Sequence, residues 1–380
     1  MKKSLIALAA LAVVSAASAQ SSVTIYGQLD AGIYNLRNID SLTKGKNATV
    51  YGDGAAFSNV LGFKGAEDLG GGLTAKFTAE TDIQTNNGGS NPAGMFRRQA
   101  NVSLASASMG EVKLGVTNNP LISTFGLLMP VAGNMVSTAS STAIGFADFY
   151  TKNALTYLSP TFAGFSGVLQ RGFSNNVNSD SQGSVTAYSL AYVNGPLEVR
   201  YAGQDRKEAA VTTALSGANP SVAAAAAIPA TTTVAAISAV TGDALNKKTN
   251  VLGAKYTIGQ YSLAAAYISN EAATTLGGAL VKKTATQVGL GYVTGPWTLG
   301  TSLTSAESST LLNVQARYAL SKRTNLIAMY GSAKNDANGT VKFLPTAFNT
   351  GTSPASIVTG MAGAAGVTQS AMGLGITHSF

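Results

Sequence analysis

Sixteen segments of alternating apolar and polar residues, joined by connectors that are short and long by turns, leave this chain few possible folds. Near the start, Val23, Ile25, Leu29 and Ile33 fall on one face, and Thr24, Tyr26, Gln28 and Asp30 on the other. Leu73, Ala75, Phe77 and Ala79 alternate with Thr74, Lys76, Thr78 and Glu80. Leu312, Val314, Ala316 and Tyr318 alternate with Asn313, Gln315 and Arg317. Side chains of a strand point to opposite faces in turn, so each segment predicts a strand with one oily face. The segments start near residues 22, 57, 73, 96, 111, 152, 164, 184, 197, 249, 260, 284, 297, 310, 324 and 367.

Every second connector is brief and rich in turn residues: "EDLGGG", "SASMG", "SPTFAG", "NGP", "IGQ", "TGP" and "SKRT". The others are longer, above all 118–151, 205–248 and 333–366. Short turns on one side and long loops on the other predict an even-stranded up-and-down barrel. Tyr157, Phe162, Phe165, Tyr192, Tyr256, Tyr292, Trp297 and Tyr318 cluster beside the short turns. Amphipathic rings in that position form an interfacial girdle, so the oil outside is lipid. The chain ends on Met372, Leu374, Ile376, His378 and Phe380 at every second position. An open sheet edge in hydrocarbon costs several kcal/mol for each unsatisfied backbone group, so this last strand must pair with the first. The expected fold is therefore all-β: a sixteen-stranded antiparallel transmembrane barrel.

Charged residues make up 11% of the chain and cysteine is absent, so no disulfide contributes to stability. The first nineteen residues have two lysines, an apolar run and a small-residue site ending at Ala19, as a secretory leader does. The expected division is a signal peptide over 1–19 and a barrel domain over 20–380. Removing the leader lowers the net charge from +8 to about +6. That charge is too diffuse for nucleic acid. One histidine and no cysteine cannot build a zinc site from soft ligands, and neither a metal nor a cofactor is expected. "GFSG" fails the last position of a nucleophile elbow, so no enzyme is predicted. The uncharged Ala-rich stretch within 205–248 holds Pro220 and Pro229, which fit a loop rather than a spanning helix.

Specific blocks then carry a resemblance. "SSVTIYGQLDAGI", "VLGFKGAEDLGGGLTAKFTAE", "FRRQANVSLASASMGEVKLG", "NALTYLSPTFAGFSG", "YALSKRTNLIAMYG" and "GLGITHSF" occur in the order in which similar blocks occur in Gram-negative general porins of the β-proteobacterial branch. The resemblance implies an outer-membrane homotrimer that passes small hydrophilic solutes and ions and carries no enzymatic activity. It also implies that Ile376, His378 and Phe380 form the terminal signal read by the barrel-assembly machinery.

In that family the third long loop, here 118–151, folds into the lumen and narrows it. Arginines on the wall face acids there. Matching positions hold Arg97, Arg98 and Glu80; Val60 and Tyr150 stand where the family has two further arginines, with Lys64 and Lys152 nearby. Counting back from Val102 and Leu104 turns Arg97 inward and Arg98 outward, unless a bulge intervenes. The loop carries a single charge, Asp148, so either its apolar residues form an oily lip or they pack onto the wall. Inward parity also places Lys76, Lys113, Arg200, Lys255 and Arg317 against Asp30, Glu111 and Glu198. Excess positive charge in a lumen favours anions. The expected function is a passive, anion-leaning channel. A solute-specific channel and a loop-mediated adhesin remain open alternatives.

Overall fold

The period-two pattern is realised as strands in the computed structural model, which describes residues 22–38, 47–54, 56–91, 94–127, 149–174, 183–208, 245–273, 279–337 and 365–380. The strands are β1 (Ser22–Arg37), β2 (Ala48–Asp53), β3 (Val60–Gly70), β4 (Leu73–Asp82), β5 (Gln99–Ser106), β6 (Gly110–Asn118), β7 (Tyr150–Leu158), β8 (Phe165–Gly172) and β9 (Val185–Asn194). They continue as β10 (Leu197–Glu208), β11 (Leu245–Ile258), β12 (Tyr261–Ala273), β13 (Leu280–Thr294), β14 (Trp297–Ala306), β15 (Ser309–Ala319), β16 (Thr324–Asn335) and β17 (Thr368–Ser379). Among the described residues there is one helix, α1 (Pro120–Leu127), which opens the third long loop.

Each strand pairs antiparallel with its neighbours, and β1 pairs with β17 from Gln28↔Ser379 to Arg37↔Ser370, which closes the sheet. Phe380 completes the seam: its N–H donates to the Gly27 carbonyl at 3.0 Å, and the Gly27 N–H donates to the Phe380 carbonyl at 3.1 Å. The Phe380 ring lies directly over Gly27, where any Cβ would collide with it. The terminal strand is thus bonded on both edges.

Among the described residues, seventeen strand segments fill sixteen positions in the wall. β2 pairs with Ala31–Leu36 of β1, and β3 pairs with Ser22–Gln28, so the two share one position. The sequence pattern placed the start of this strand near 57; it begins at Ala48 and is interrupted by residues 54–59. The interruption starts at Gly54, whose φ of 70° belongs to the left-handed region that glycine enters at little cost. Other strands also run past their expected starts. Asp205–Glu208 pair with Leu245–Lys248, and Lys282 pairs with Glu271. Beyond the hydrocarbon the backbone ladder continues, but the side chains become charged and the apolar signal disappears.

Outward positions are oily and open, as at Val23 (63% exposed), Val102 (61%) and Leu374 (70%). Aromatic pairs stand at the short-turn end: Phe165 with Tyr192 at 4.5 Å, Tyr261 with Tyr292 at 4.8 Å and Trp297 with Tyr318 at 4.8 Å between centroids. Inward positions hold a buried cluster that includes Tyr34, Leu36, Leu121, Phe125, Ile268, Leu311, Ile327 and Met329. Residues 1–19, expected to be the leader, residues 209–244 and 338–364, and Asp148 lie outside the described residues.

Candidate functional site: charge clusters on the inner wall

The end of β4 and the approach to β5 build the densest group of charges. Glu80 Oε1 accepts from Arg98 Nε at 2.7 Å, and Asp82 Oδ1 accepts from Arg98 Nη1 at 3.1 Å. Arg97 Nε lies 2.5 Å from Asp82 Oδ2. The Tyr150 ring, at the start of β7, sits 5.6 Å from the Arg97 guanidinium and 5.2 Å from that of Arg98. Tyr26 donates its hydroxyl to Glu80 Oε2 at 2.9 Å, and Lys64 Nζ stands 5.0 Å from the Tyr26 ring. Gly62 permits this, because the Tyr26 ring lies where its Cβ would be. Arg97, Arg98, Glu80, Lys64 and Tyr150 are therefore brought together. The aromatic ring in place of a family arginine spreads its negative face beneath two guanidiniums.

Three expectations change. Arg98 does not point outward. β5 begins only at Gln99, so parity does not extend to the residue before it, and the guanidinium turns to Glu80 and Asp82. Lys152 does not join the cluster. It follows Thr151, which is buried and donates to Gln170 at 2.6 Å, and a register shift near Gly115 with a φ of 50° at Asn153 disturbs parity there. Lys152 is exposed on β7 instead. Asp30 does not line an open lumen either. At 1% exposure it lies beneath the 54–59 insertion, its Oδ1 accepting from the Ala56 N–H at 3.2 Å and its backbone N–H donating to Asn59. Asp53 Oδ1 ties the insertion to β4's exit through the Thr85 hydroxyl at 2.6 Å.

Two further groups lie lower and around the wall. Lys76, Ser103 and Lys113 occupy one register row across β4, β5 and β6. Glu111 lies among them, 3.4 Å from Lys76, 3.6 Å from Lys113 and 2.7 Å from the Ser103 hydroxyl. Glu198 likewise sits between Arg200 at 2.7 Å and Lys255 at 3.1 Å. Each of these carboxylates thus serves two cations. Arg317 faces an aromatic instead, its guanidinium 5.2 Å from the Phe57 ring.

The third loop enters the barrel. Asn119 caps α1 by accepting from the Leu121 N–H at 3.0 Å, and its amide donates to Gln204 on β10 at 2.7 Å. Leu121 and Phe125 are buried in the inner cluster beside Ala202 and Val251. In its described part, then, the loop's oily residues pack on the wall and do not form a lip.

Sequence reasoning missed Asp82 and Tyr26. Asp82 is two residues beyond Glu80 on the same strand and shares its face, so parity was sufficient to find it. Tyr26 was placed inward, but nothing local linked it to Glu80, 54 residues away.

A closed antiparallel barrel with an oily outer band, aromatic girdles and a charged inner wall defines an outer-membrane channel-type protein. A family model described as Gram-negative porin matches residues 7–338, and the chain belongs to that family. It is a non-enzymatic family of the Gram-negative outer membrane. The chain is 34% identical over 218 residues to outer membrane porin protein 32 of Delftia acidovorans, covering 52% of this chain and 58% of that protein. It is 33% identical over 228 residues to an outer membrane porin protein of Bordetella pertussis, covering 52% and 58%. These alignments span less than two thirds of the relatives' length. In three dimensions it resembles an anion-selective porin from Comamonas acidovorans, with a TM-score of 0.73 and 24% identity over 95% of this chain and all of that one. OmpT of Vibrio cholerae superposes with a TM-score of 0.62 at 14% identity, over 95% and 98% of the two chains.

Proposed function

We propose that the barrel encloses a water-filled channel for passive diffusion of small hydrophilic solutes and ions, with a preference for anions. The carrying observation is the surplus of cations on the inner wall. Glu111 and Glu198 each meet two cations, while Lys64 and Arg317 stand against aromatic rings. Such a surface raises the local anion concentration. Arg97, Arg98, Glu80, Asp82 and Tyr150 form the constriction, and Lys76, Lys113, Arg200 and Lys255 line the path. Residues 1–19 act as the export leader, and Ile376, His378 and Phe380 as the assembly signal.

Three copies associate through the wall formed by β17, β1 and β3–β6. Each strand from β7 to β16 except β8, which bears Phe165, has an outward Tyr or Trp, including Tyr157, Tyr201 and Tyr330. The wall from β17 to β6 bears no outward Tyr or Trp apart from Tyr51 on β2. It carries instead an apolar groove of about 450 Å³ lined by Val23, Phe77, Val102, Leu104, Val112 and Leu114. A face poor in Tyr and Trp anchors suits another protein surface better than a lipid headgroup region.

Reversal potential in a planar bilayer across a potassium chloride gradient tests both parts. The expected record has conductance steps grouped in threes and a reversal shifted toward chloride. A reversal shifted toward potassium would remove the anion preference, and solitary steps would remove the trimer.

A further inference from the structure

Three neighbouring strands carry almost no charge. β7, β8 and β9 hold no carboxylate, and their only charged residues are Lys152 and Arg171. Both face away from the lumen. On β8, Gln170 and Gly172 are buried on the inner side, whereas Arg171 lies between outward Leu169 at 64% exposure and Phe173 at 50%. On β7 the same result takes a bulge. From Gly115 to Thr117 β6 advances two residues, while its partner advances three, from Ala154 to Thr151. Thr151 and Ala154 are both buried, so the extra residue leaves Lys152 and Asn153 together on the outer face, with Asn153 at a φ of 50°. Bulges re-aim side chains in this way.

The two cations share one small area. The Phe173 N–H donates to the Asn153 carbonyl at 3.0 Å, which sets Lys152 diagonal to Arg171 across the β7–β8 ladder. Diagonal neighbours lie roughly 7–8 Å apart, within reach of long side chains. Arg171 Nη1 donates to the Thr186 hydroxyl on β9 at 2.7 Å. The rest of the guanidinium, the Lys152 ammonium and the Thr186 hydroxyl proton remain to donate elsewhere. Among the described residues no ion pair joins either cation to a carboxylate. Asp205 follows Thr186 in the register row, but it has Lys248 as its own cross-strand partner on β11.

A cation on the lipid side of a barrel is costly at depth and tolerated toward the interface, where an anion can meet it. Arg171 is the next-to-last residue of β8 and Lys152 the third of β7, so both stand at the long-loop end. These strands are short, nine and eight residues against thirteen and fifteen in β12 and β13. A low wall is met by local thinning of the bilayer, which brings headgroups down to such residues. Long loops lie on the external side, so the anion at hand is the phosphate of an outer-leaflet lipid. An arginine fork holds two phosphate oxygens, and a lysine adds a point charge.

We infer that Lys152, Arg171 and Thr186 form a binding site for a lipid phosphate on the outer face of β7–β9. The phosphate lies on the Arg171 fork and the Lys152 ammonium, and the Thr186 hydroxyl donates to a further oxygen. The acyl chains descend over outward Leu155, Leu169 and Leu190. The site is independent of the channel reading above, because it faces lipid and not the lumen.

Native mass spectrometry of the full-length protein in detergent, titrated separately with dioleoyl phosphatidic acid and dioleoyl phosphatidylcholine, tests it. Phosphatidic acid is expected to half-saturate at a concentration about tenfold below phosphatidylcholine, whose choline neutralises the phosphate. Lys152→Gln and Arg171→Gln should each raise that concentration about fivefold, and the two together about twentyfold. Lys322→Gln, in a short turn, should leave it unchanged. Heat-modifiable migration on gels reports whether each variant is folded. Equal retention of the two lipids by wild type, or of phosphatidic acid by wild type and both folded single variants, would overturn the site. Displacement of phosphatidic acid by an equal concentration of inorganic phosphate would overturn it in favour of a free-anion site. Loss of the oligomer in the variants with lipid retention intact would overturn it in favour of a subunit contact.

Discussion

A chain ending at Ser370 is expected to form no barrel at all. Residues 371–379 pair with β16 on one edge and with β1 on the other, from Ala371↔Leu36 to Ser379↔Gln28. Removing them opens two strand edges in hydrocarbon, where each unsatisfied backbone group costs several kcal/mol. Native proteins hold only about 5–15 kcal/mol of net stability, so a few such groups suffice. Unboiled gel migration and outer-membrane fractionation should show only unfolded or degraded chain; a folded, membrane-inserted product would refute the closure argument. Phe380→Ala separates closure from recognition. The backbone bonds between Phe380 and Gly27 survive that change, so refolding into detergent should proceed as in wild type. Insertion in cells should fall severalfold if the terminal ring is part of an assembly signal, and unchanged cellular levels would remove that role.

Glu80→Ala should be the most costly single substitution on the inner wall. Glu80 accepts from Arg98, Tyr26 and Gln99, and the side chains of Glu80 and Arg98 are 11% and 15% exposed. Removing one partner of a buried pair leaves an uncompensated charge and costs about 3–5 kcal/mol. Asp82, still bonded to Arg98, should hold the loss near the lower limit. Urea unfolding of the detergent-solubilised barrel measures this. The same change strips a negative charge from the inner-wall cluster, so chloride preference should increase at low salt and fade as screening grows. Unchanged unfolding, or a shift toward potassium, would show that the cluster neither supports the wall nor faces the ion path.

Much of the candidate site was legible in the residues wherever the ladder is regular. Inside β4–β6 and β10–β11, parity alone placed Lys76, Lys113, Glu111, Arg200, Lys255 and Glu198 on one face. It failed wherever regular pairing ends. Arg98 precedes the first residue of β5, Lys152 lies beside a register shift, and Asp30 is covered by an insertion that breaks the strand opposite it. For Arg98 and Lys152 one irregular residue is enough to upset the parity, because the side-chain period is two, whereas Asp30 keeps its inward face and is covered.

The sequence by itself determined the closed barrel. A period of two sets which face meets oil, alternating connector lengths set the up-and-down path, and the cost of bare backbone in lipid forces the ends together. Only the tertiary structure decided which charges meet. Glu80 gathers Tyr26 from β1 and Arg98 from the approach to β5, with Tyr150 from β7 beneath the arginine, and Phe57 reaches Arg317 from the far side of the closing seam. Those partners are distant in sequence and are selected by the register and curvature of the closed wall, which no local pattern encodes.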